Sequence, residues 1–218
     1  MNPTKAVCWG ASGHARSVVN ALRSYPDIKI VGYLDDVNPD RHGQSFEGEK
    51  ILGGEEYLEI LAEQGVAACV LGFGHCLRRI EVGQLLAQKG FALPCVLHPS
   101  ALIASDAVIG EGTVVLAGAL IDPGCRIGNY AIINNGAIVN HECVIGDGVH
   151  VCPGVNIAGR TTIGRGCWLG IGSTFVDKIR VGDHTFIGAG SVVTKDIPSG
   201  CLVYGNPARV IRPIDRNF

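Results

Sequence analysis

The chain has 218 residues, a formal net charge of −2, 47% apolar and 17% charged residues, which supplies enough apolar side chains for a core and excludes a disordered chain. Eighteen basic against 20 acidic residues leave no broad positive field, so a surface built to track nucleic-acid phosphates or an anionic bilayer is excluded. The first residues carry no apolar signal core and no apolar run reaches the roughly 18 residues that span a bilayer, so the expected location is the cytoplasm.

Residues 1–96 read as one unit. The apolar runs Lys5–Trp9, Ile28–Leu34, Val66–Gly72 and Ala92–Leu97 alternate with amphipathic stretches around Ala15–Arg23, Glu55–Gln64 and Leu77–Lys89, which predicts a small parallel α/β, Rossmann-like half-domain. The loop Gly10-Ala-Ser-Gly-His14 follows the first strand and opens a helix, where backbone N–H groups can receive a diphosphate. It is not GxGxxG, and the second half of a dinucleotide fold is missing, which argues against a redox role. Asp35 and Asp36 close the second strand. Gly72-Phe-Gly-His75 ends the third and starts a helix; Gly74 joins the ligand-binding candidates, and Arg78 and Arg79 are available to a phosphate. His75 reads equally as a helix-terminal surface residue.

Residues 97–197 obey a different period. From Leu97 in steps of six, every position to Val193 is apolar, among them Ile103, Ile109, Ile121, Val139, Ile157, Leu169, Phe175 and Ile187. Four residues after each stands a mostly small one, such as Ala119, Cys125, Ala137, Cys143 and Cys167. This is the hexapeptide signature of a parallel β-helix: three repeats close a coil, and stacked coils bury a continuous apolar column. The 31 glycines, about twice the usual share, are expected at the bends, as at Gly110, Gly128, Gly146 and Gly164. The nine cysteines are odd in number with no CxxC pair, so reduced packing thiols fit better than disulfides. Neither Cys69/His75/Cys76 nor His141/Cys143/His150/Cys152 has zinc-site spacing, and no metal is expected. Residues 198–218 form a closing segment.

The repeats, the GxSGH loop, Asp35-Asp36 and Asn140-His-Glu-Cys143 together resemble the hexapeptide-repeat sugar acetyltransferases of sialic acid and bacillosamine biosynthesis, NeuD/PglD-like, and within them the GDP-perosamine N-acetyltransferase branch. The resemblance spans essentially the whole chain. It implies a left-handed β-helix, a homotrimer with acetyl-CoA between adjacent helices, and an N-terminal domain holding the nucleotide of a nucleotide-linked amino sugar. Gly10, Ser12, Gly13 and His14 match its substrate loop, and Asp35 and Asp36 would contact hydroxyls or a base edge. The expected reaction is direct attack of a sugar amine, at C4 of a GDP- or UDP-linked 4-amino-4,6-dideoxyhexose, on the acetyl thioester.

His141 lies two residues past an inward position, near a corner, and a neutral imidazole suits removal of the amine proton, so it is the candidate general base. The resemblance gives Glu142 the role of orienting that ring; strand alternation would separate the two, whereas a corner can join them. One coil on from His141 stands Gly159, whose N–H could hold the thioester oxygen. His150 is a candidate hydrogen-bonding partner of the acetyl group or the sugar. The acetyl-CoA set is completed by Ile171 and Ala189 on the pantetheine face and by Lys195, Pro207 and Arg209 near the adenosine end. Cys143 occupies an inward slot and is not expected to act as a nucleophile. Three other readings stay open: sialic acid O-acetylation, a γ-carbonic-anhydrase-like metalloenzyme, and a non-catalytic nucleotide-sugar sensor.

Overall fold

The computed structural model describes residues 3–214; Met1, Asn2 and the last four residues of the closing segment lie outside them. The chain begins with β1 (Thr4–Trp9), α1 (Gly13–Leu22) and β2 (Ile28–Leu34), followed by β3 (Ser45–Phe46), β4 (Glu49–Gly53), α2 (Leu58–Glu63), β5 (Ala68–Leu71) and α3 (Cys76–Gln88). The sheet order is β3-β4-β2-β1-β5. Both faces of its centre are covered, which is why β5 is buried throughout and β1 over its last four residues. α1 turns Ala15, Val18, Ala21 and Leu22 inward at helical spacing.

Two expectations for this half need correction. The stretch between β2 and α2 holds an antiparallel hairpin, with Phe46 opposite Glu49 across a turn in which Glu47 and Gly48 both take positive φ; β4 then joins β2 in parallel. The sheet is therefore mixed at its edge. Ala92–Leu97 is not one strand either: Ala92 bridges to Ala68 in the first sheet, whereas Val96–Leu97 pairs with Val114–Val115 and starts the second architecture.

That architecture is a parallel β-helix of two-residue strands in three faces. The first face stacks Val96–Leu97, Val114–Val115, Ile132–Ile133, His150–Val151, Trp168–Leu169 and Phe186–Ile187. The second runs from Leu102–Ile103 through Ile138–Val139 to Val192–Val193, and the third from Val108–Ile109 through Val144–Ile145 to Arg180–Val181. Register is fixed coil on coil, with Val139 opposite Ile121 and Ile157. The inward column of Ile, Val, Leu and Phe is buried from Val115 to Val193, each such side chain contributing about 1.5–3 kcal/mol.

The small inward slots follow a rule of their own. Thr113, Thr161 and Thr185 each donate a hydroxyl to a carbonyl of the following coil, at 2.9, 3.1 and 3.0 Å. The thiols of Cys125, Cys143 and Cys167 do the same, to Asn140, Ala158 and Gly182, at 3.1, 3.2 and 3.1 Å. A small side chain with one donor satisfies a buried carbonyl there. Gly128 and its equivalents serve close approach rather than bending: a Cβ on Gly128 would lie 2.7 Å from the Asp147 nitrogen in the next coil.

The first half docks on the ridge where the third face turns into the first. Arg79, fully buried on α3, donates to the carbonyls of Tyr130, Leu71, Phe73, Gly112 and Ala131, joining β5, the following loop and two coils. Burial pushes its guanidinium down to about 9, because no carboxylate accompanies it. The expected availability of Arg79 to a phosphate is thus overturned. Gly83 admits the Tyr130 ring, to which a Cβ would come within 2.5 Å. Among the described residues no helix is long and apolar enough to cross a membrane.

Candidate active site

His141 sits on another ridge, in the turn from the second face to the third. Asn140 pins this turn by donating Nδ2 to the Ile157 carbonyl at 2.7 Å, and Cys143 points inward. Glu142 takes φ +58, a left-handed conformation that folds its carboxylate back beside the preceding ring. His141 Nδ1 and Glu142 Oε2 lie 3.1 Å apart, so Nδ1–H donates and Nε2 is left as the basic nitrogen. The same Oε2 accepts Arg160 Nε at 2.8 Å. Arg160 first, and His141 after it, hold the Glu142 carboxyl below the usual carboxylate range.

The imidazole packs against Gly159 one coil on. A Cβ at Gly159 would come within 2.5 Å of both His141 Cε1 and Nε2. Gly159 N–H has no hydrogen-bond partner among the described residues. His141 and Gly159 stand together one coil apart, the corner at Glu142 brings its carboxylate to the same ring, and Lys195 ends the same ridge, exposed. Sequence reasoning missed Arg160. Its signal was an 18-residue step from Glu142, the same arithmetic that found Gly159.

The second constellation is a cavity of about 650 Å³ at the carboxyl ends of β1, β2 and β5, which Gly10, Ser12, Asp35, Asp36, Gly74 and Arg78 help to line. Gly10 has φ +114, and a Cβ there would meet the Gly72 carbonyl oxygen at 2.7 Å; only glycine lets these two loops touch. Ser12 precedes α1 and its hydroxyl caps nothing, and the first turn that Gly13 opens has no acidic residue, so the end of the helix suits an anion. Asp35 is 6% exposed and shapes its own loop: Oδ1 accepts Val37 and Asn38 backbone N–H at 3.1 Å and Oδ2 accepts Arg41 at 3.3 Å. Asp36 is the one presented to the cavity, bonded by Trp9 Nε1 and by Arg78 Nη2 at 2.9 Å. His75 caps α3, accepting Arg78 N–H at 3.2 Å.

His14 and His150 lie at the junction of the two halves, 6.0 Å apart between ring centroids. His150 is 5% exposed; Nδ1 faces the Gly74 carbonyl at 3.1 Å and Nε2 faces Asn134 Nδ2 at 3.1 Å. Both nitrogens are thereby engaged within the chain. His14 Nε2 is buried with no partner among the described residues. Burial pushes His14 down to about 3 and His150 to about 4, from 6.5. Below pH 6.5 the unfolded chain binds a proton that the folded chain refuses, so stability held by the neutral His150 is fully present above 6.5 and is lost as pH falls towards 4. Urea unfolding at pH 7 and pH 5 is expected to differ by about 2 kcal/mol on account of this ring, and His150→Gln to remove that difference. An unchanged difference in the variant would exonerate the ring.

The residues expected to hold acetyl-CoA are divided within one chain. Ile171, 60% exposed, and Ala189 stack on the ridge between the first and second faces, where Gly190 N–H meets the Ile171 carbonyl at 2.8 Å. Gly159 and Lys195 are on the His141 ridge. Pro207 and Arg209 lie in the closing hairpin, Cys201–Gly205 against Ala208–Pro213, with Arg209 Nη1 on the Ala208 carbonyl at 2.9 Å. The cavity at the carboxyl ends of β1, β2 and β5 belongs to the third ridge.

Residues 5–86 match the family described as PglD N-terminal domain, and residues 160–195 match that described as bacterial transferase hexapeptide (six repeats). No curated protein matches the chain. Among solved structures it is similar to PerB from Caulobacter crescentus, in complex with CoA and GDP-perosamine, at 32% identity and a TM-score of 0.90 over 95% of this chain and 97% of that one. It is also similar to the acetyltransferase domain of PglB from Neisseria gonorrhoeae FA1090, in complex with acetyl coenzyme A, at 32% identity and a TM-score of 0.89 over 96% of this chain and 100% of that one. WeeI from Acinetobacter baumannii AYE matches at 25% identity and a TM-score of 0.69, over 95% of this chain and 100% of the other. The architecture shared along the whole length is the Rossmann-like half-domain followed by a left-handed β-helix.

Proposed function

This chain belongs to the PglD-like family of hexapeptide-repeat, acetyl-CoA-dependent sugar acetyltransferases, and from that premise we propose that it acetylates the C4 amine of a GDP- or UDP-linked 4-amino-4,6-dideoxy sugar of the perosamine kind, for surface polysaccharide or glycan biosynthesis in the cytoplasm. The observation that carries this reading is the His141 ring, fixed by Glu142 through Nδ1 at 3.1 Å and laid against Gly159. Nε2 takes the proton of the attacking amine as the C–N bond forms, and the carbonyl regains its double bond as the C–S bond breaks and the imidazolium returns that proton to sulfur, so that CoA leaves as the thiol and His141 is neutral again. Gly159 N–H receives the negative charge on the carbonyl oxygen. Residues 1–96 hold the nucleotide, 97–197 carry the transfer, and 198–218 sit near the CoA end.

The distribution of these parts over separate ridges supports a homotrimer. Within one chain the nucleotide cavity and His141 occupy different ridges, yet His150, which touches the cavity wall through Gly74, stands only half a coil after His141. In such a trimer the His141 ridge of a second copy would complete the site beside the first copy's cavity. The test is thiol release from acetyl-CoA with a panel of GDP- and UDP-linked 4-amino sugars, with sialic acid and hydroxyl-only nucleotide sugars as controls. Turnover confined to one amino sugar is expected. Turnover of the hydroxyl acceptors alone, or binding of nucleotide sugars without any thiol release, would overturn it.

A further inference from the structure

We infer that Arg160 is a positioning residue for this reaction, which holds the Glu142 carboxylate against His141 Nδ1 and balances its charge. The inference rests on the reading of His141 as the general base. Glu142 Oε2 is shared: Arg160 Nε approaches it at 2.8 Å and His141 Nδ1 at 3.1 Å. Arg160 takes φ +60 and Glu142 φ +58 at matching corners, so the two side chains leave the ridge in the same direction one coil apart. Arg160 N–H also donates to the His141 carbonyl at 2.9 Å. The backbone of one coil thus sets the guanidinium against the acid of the previous one.

The chemistry explains why a cation belongs there. A carboxylate beside an imidazole orients it but also favours the imidazolium, which is useless as a base. With Arg160 on the same oxygen, His141, Glu142 and Arg160 sum to zero charge when the imidazole is neutral, and the orienting hydrogen bond is kept while the net field is removed. The other charged groups on this ridge do not supply that balance. Asp106 Oδ2 accepts Gly124 N–H at 3.0 Å, one coil before Glu142; Asp122 precedes Pro123; Lys178, beyond Arg160, pairs with Asp177 at 3.3 Å; and Lys195 stands three coils beyond His141.

The experiment is the pH profile of kcat/KM for Arg160→Gln, Arg160→Lys, Glu142→Gln and His141→Asn in the full-length enzyme, with the best amino-sugar acceptor. Arg160→Gln is expected to move the acid limb up by about half to one pH unit, with its high-pH plateau within about threefold of the parent. Arg160→Lys should return the limb most of the way, and Glu142→Gln should move it down. An acid limb that stays in place in Arg160→Gln while His141→Asn is inactive would overturn the role of Arg160 and leave the base intact. Full activity of His141→Asn would instead remove the reading on which the role depends.

Discussion

His141→Asn is expected to lower kcat by roughly 10²–10⁴-fold and to leave KM for acetyl-CoA within about threefold. The side chain is 54% exposed in the chain, so its truncation removes little packing and the variant should unfold at nearly the parent's temperature. Asparagine retains an N–H that can still reach Glu142, but it has no nitrogen able to take a proton from the attacking amine. The loss therefore falls on the transition state rather than on ground-state binding, which is the kinetic mark of a base. Steady-state kinetics across pH 6–9 provide the check, and undiminished turnover would exclude His141 from the chemistry.

Gly159→Ala is expected to reduce kcat by about 10–100-fold without a comparable loss of stability. The backbone at Gly159 is not left-handed, so alanine is accepted there without backbone strain, and the closest conflict is between the new methyl and the His141 ring, at 2.5 Å to Cε1 and Nε2 and 3.0 Å to Cδ2. An exposed ring yields by rotating away. In doing so it leaves the Glu142 oxygen and carries Nε2 off the position from which it faces the amine, and displacements near 1 Å have kinetic costs of about 10²-fold. A double-mutant cycle isolates this cause: once His141 is asparagine, the added methyl should change kcat by less than about threefold. Equal effects in both backgrounds would mean that the methyl acts by blocking the approach of the thioester to the Gly159 N–H rather than through the ring.

Much of the second half was legible because its geometry is arithmetic. A period of six places Val139 inward, puts His141 at a corner and sets Gly159 beside it, since coil registers repeat every 18 residues without reference to distant sequence. Arg160 was within reach of the same step, and went unread because corner conformation, not period, decides that Glu142 and Arg160 leave the ridge together. The first half resisted for a different reason. The hairpin through Ser45–Phe46 depends on a turn at Glu47-Gly48 that follows no hydrophobic period, and the functions of Arg79, Asp35 and His150 depend on partners supplied by docking. Arg79 looked like a phosphate ligand because nothing near it in sequence reveals Gly112, Tyr130 and Ala131 as its acceptors. His150 projects outward from its strand, as a ligand would, but α3 and its preceding loop cover that position.

The attachment of the first half to particular coils makes the β-helix a ruler. Arg79 grips Gly112, Tyr130 and Ala131, and His150 grips Gly74, so the cavity's height is counted from those coils and not from the length of any loop. Spacing between acceptor and base can then change only in whole steps of about 4.8 Å. A coil gained or lost below Phe175 would alter the reach towards the closing hairpin alone, whereas one inserted between Tyr130 and His141 would put the two reacting partners on different storeys.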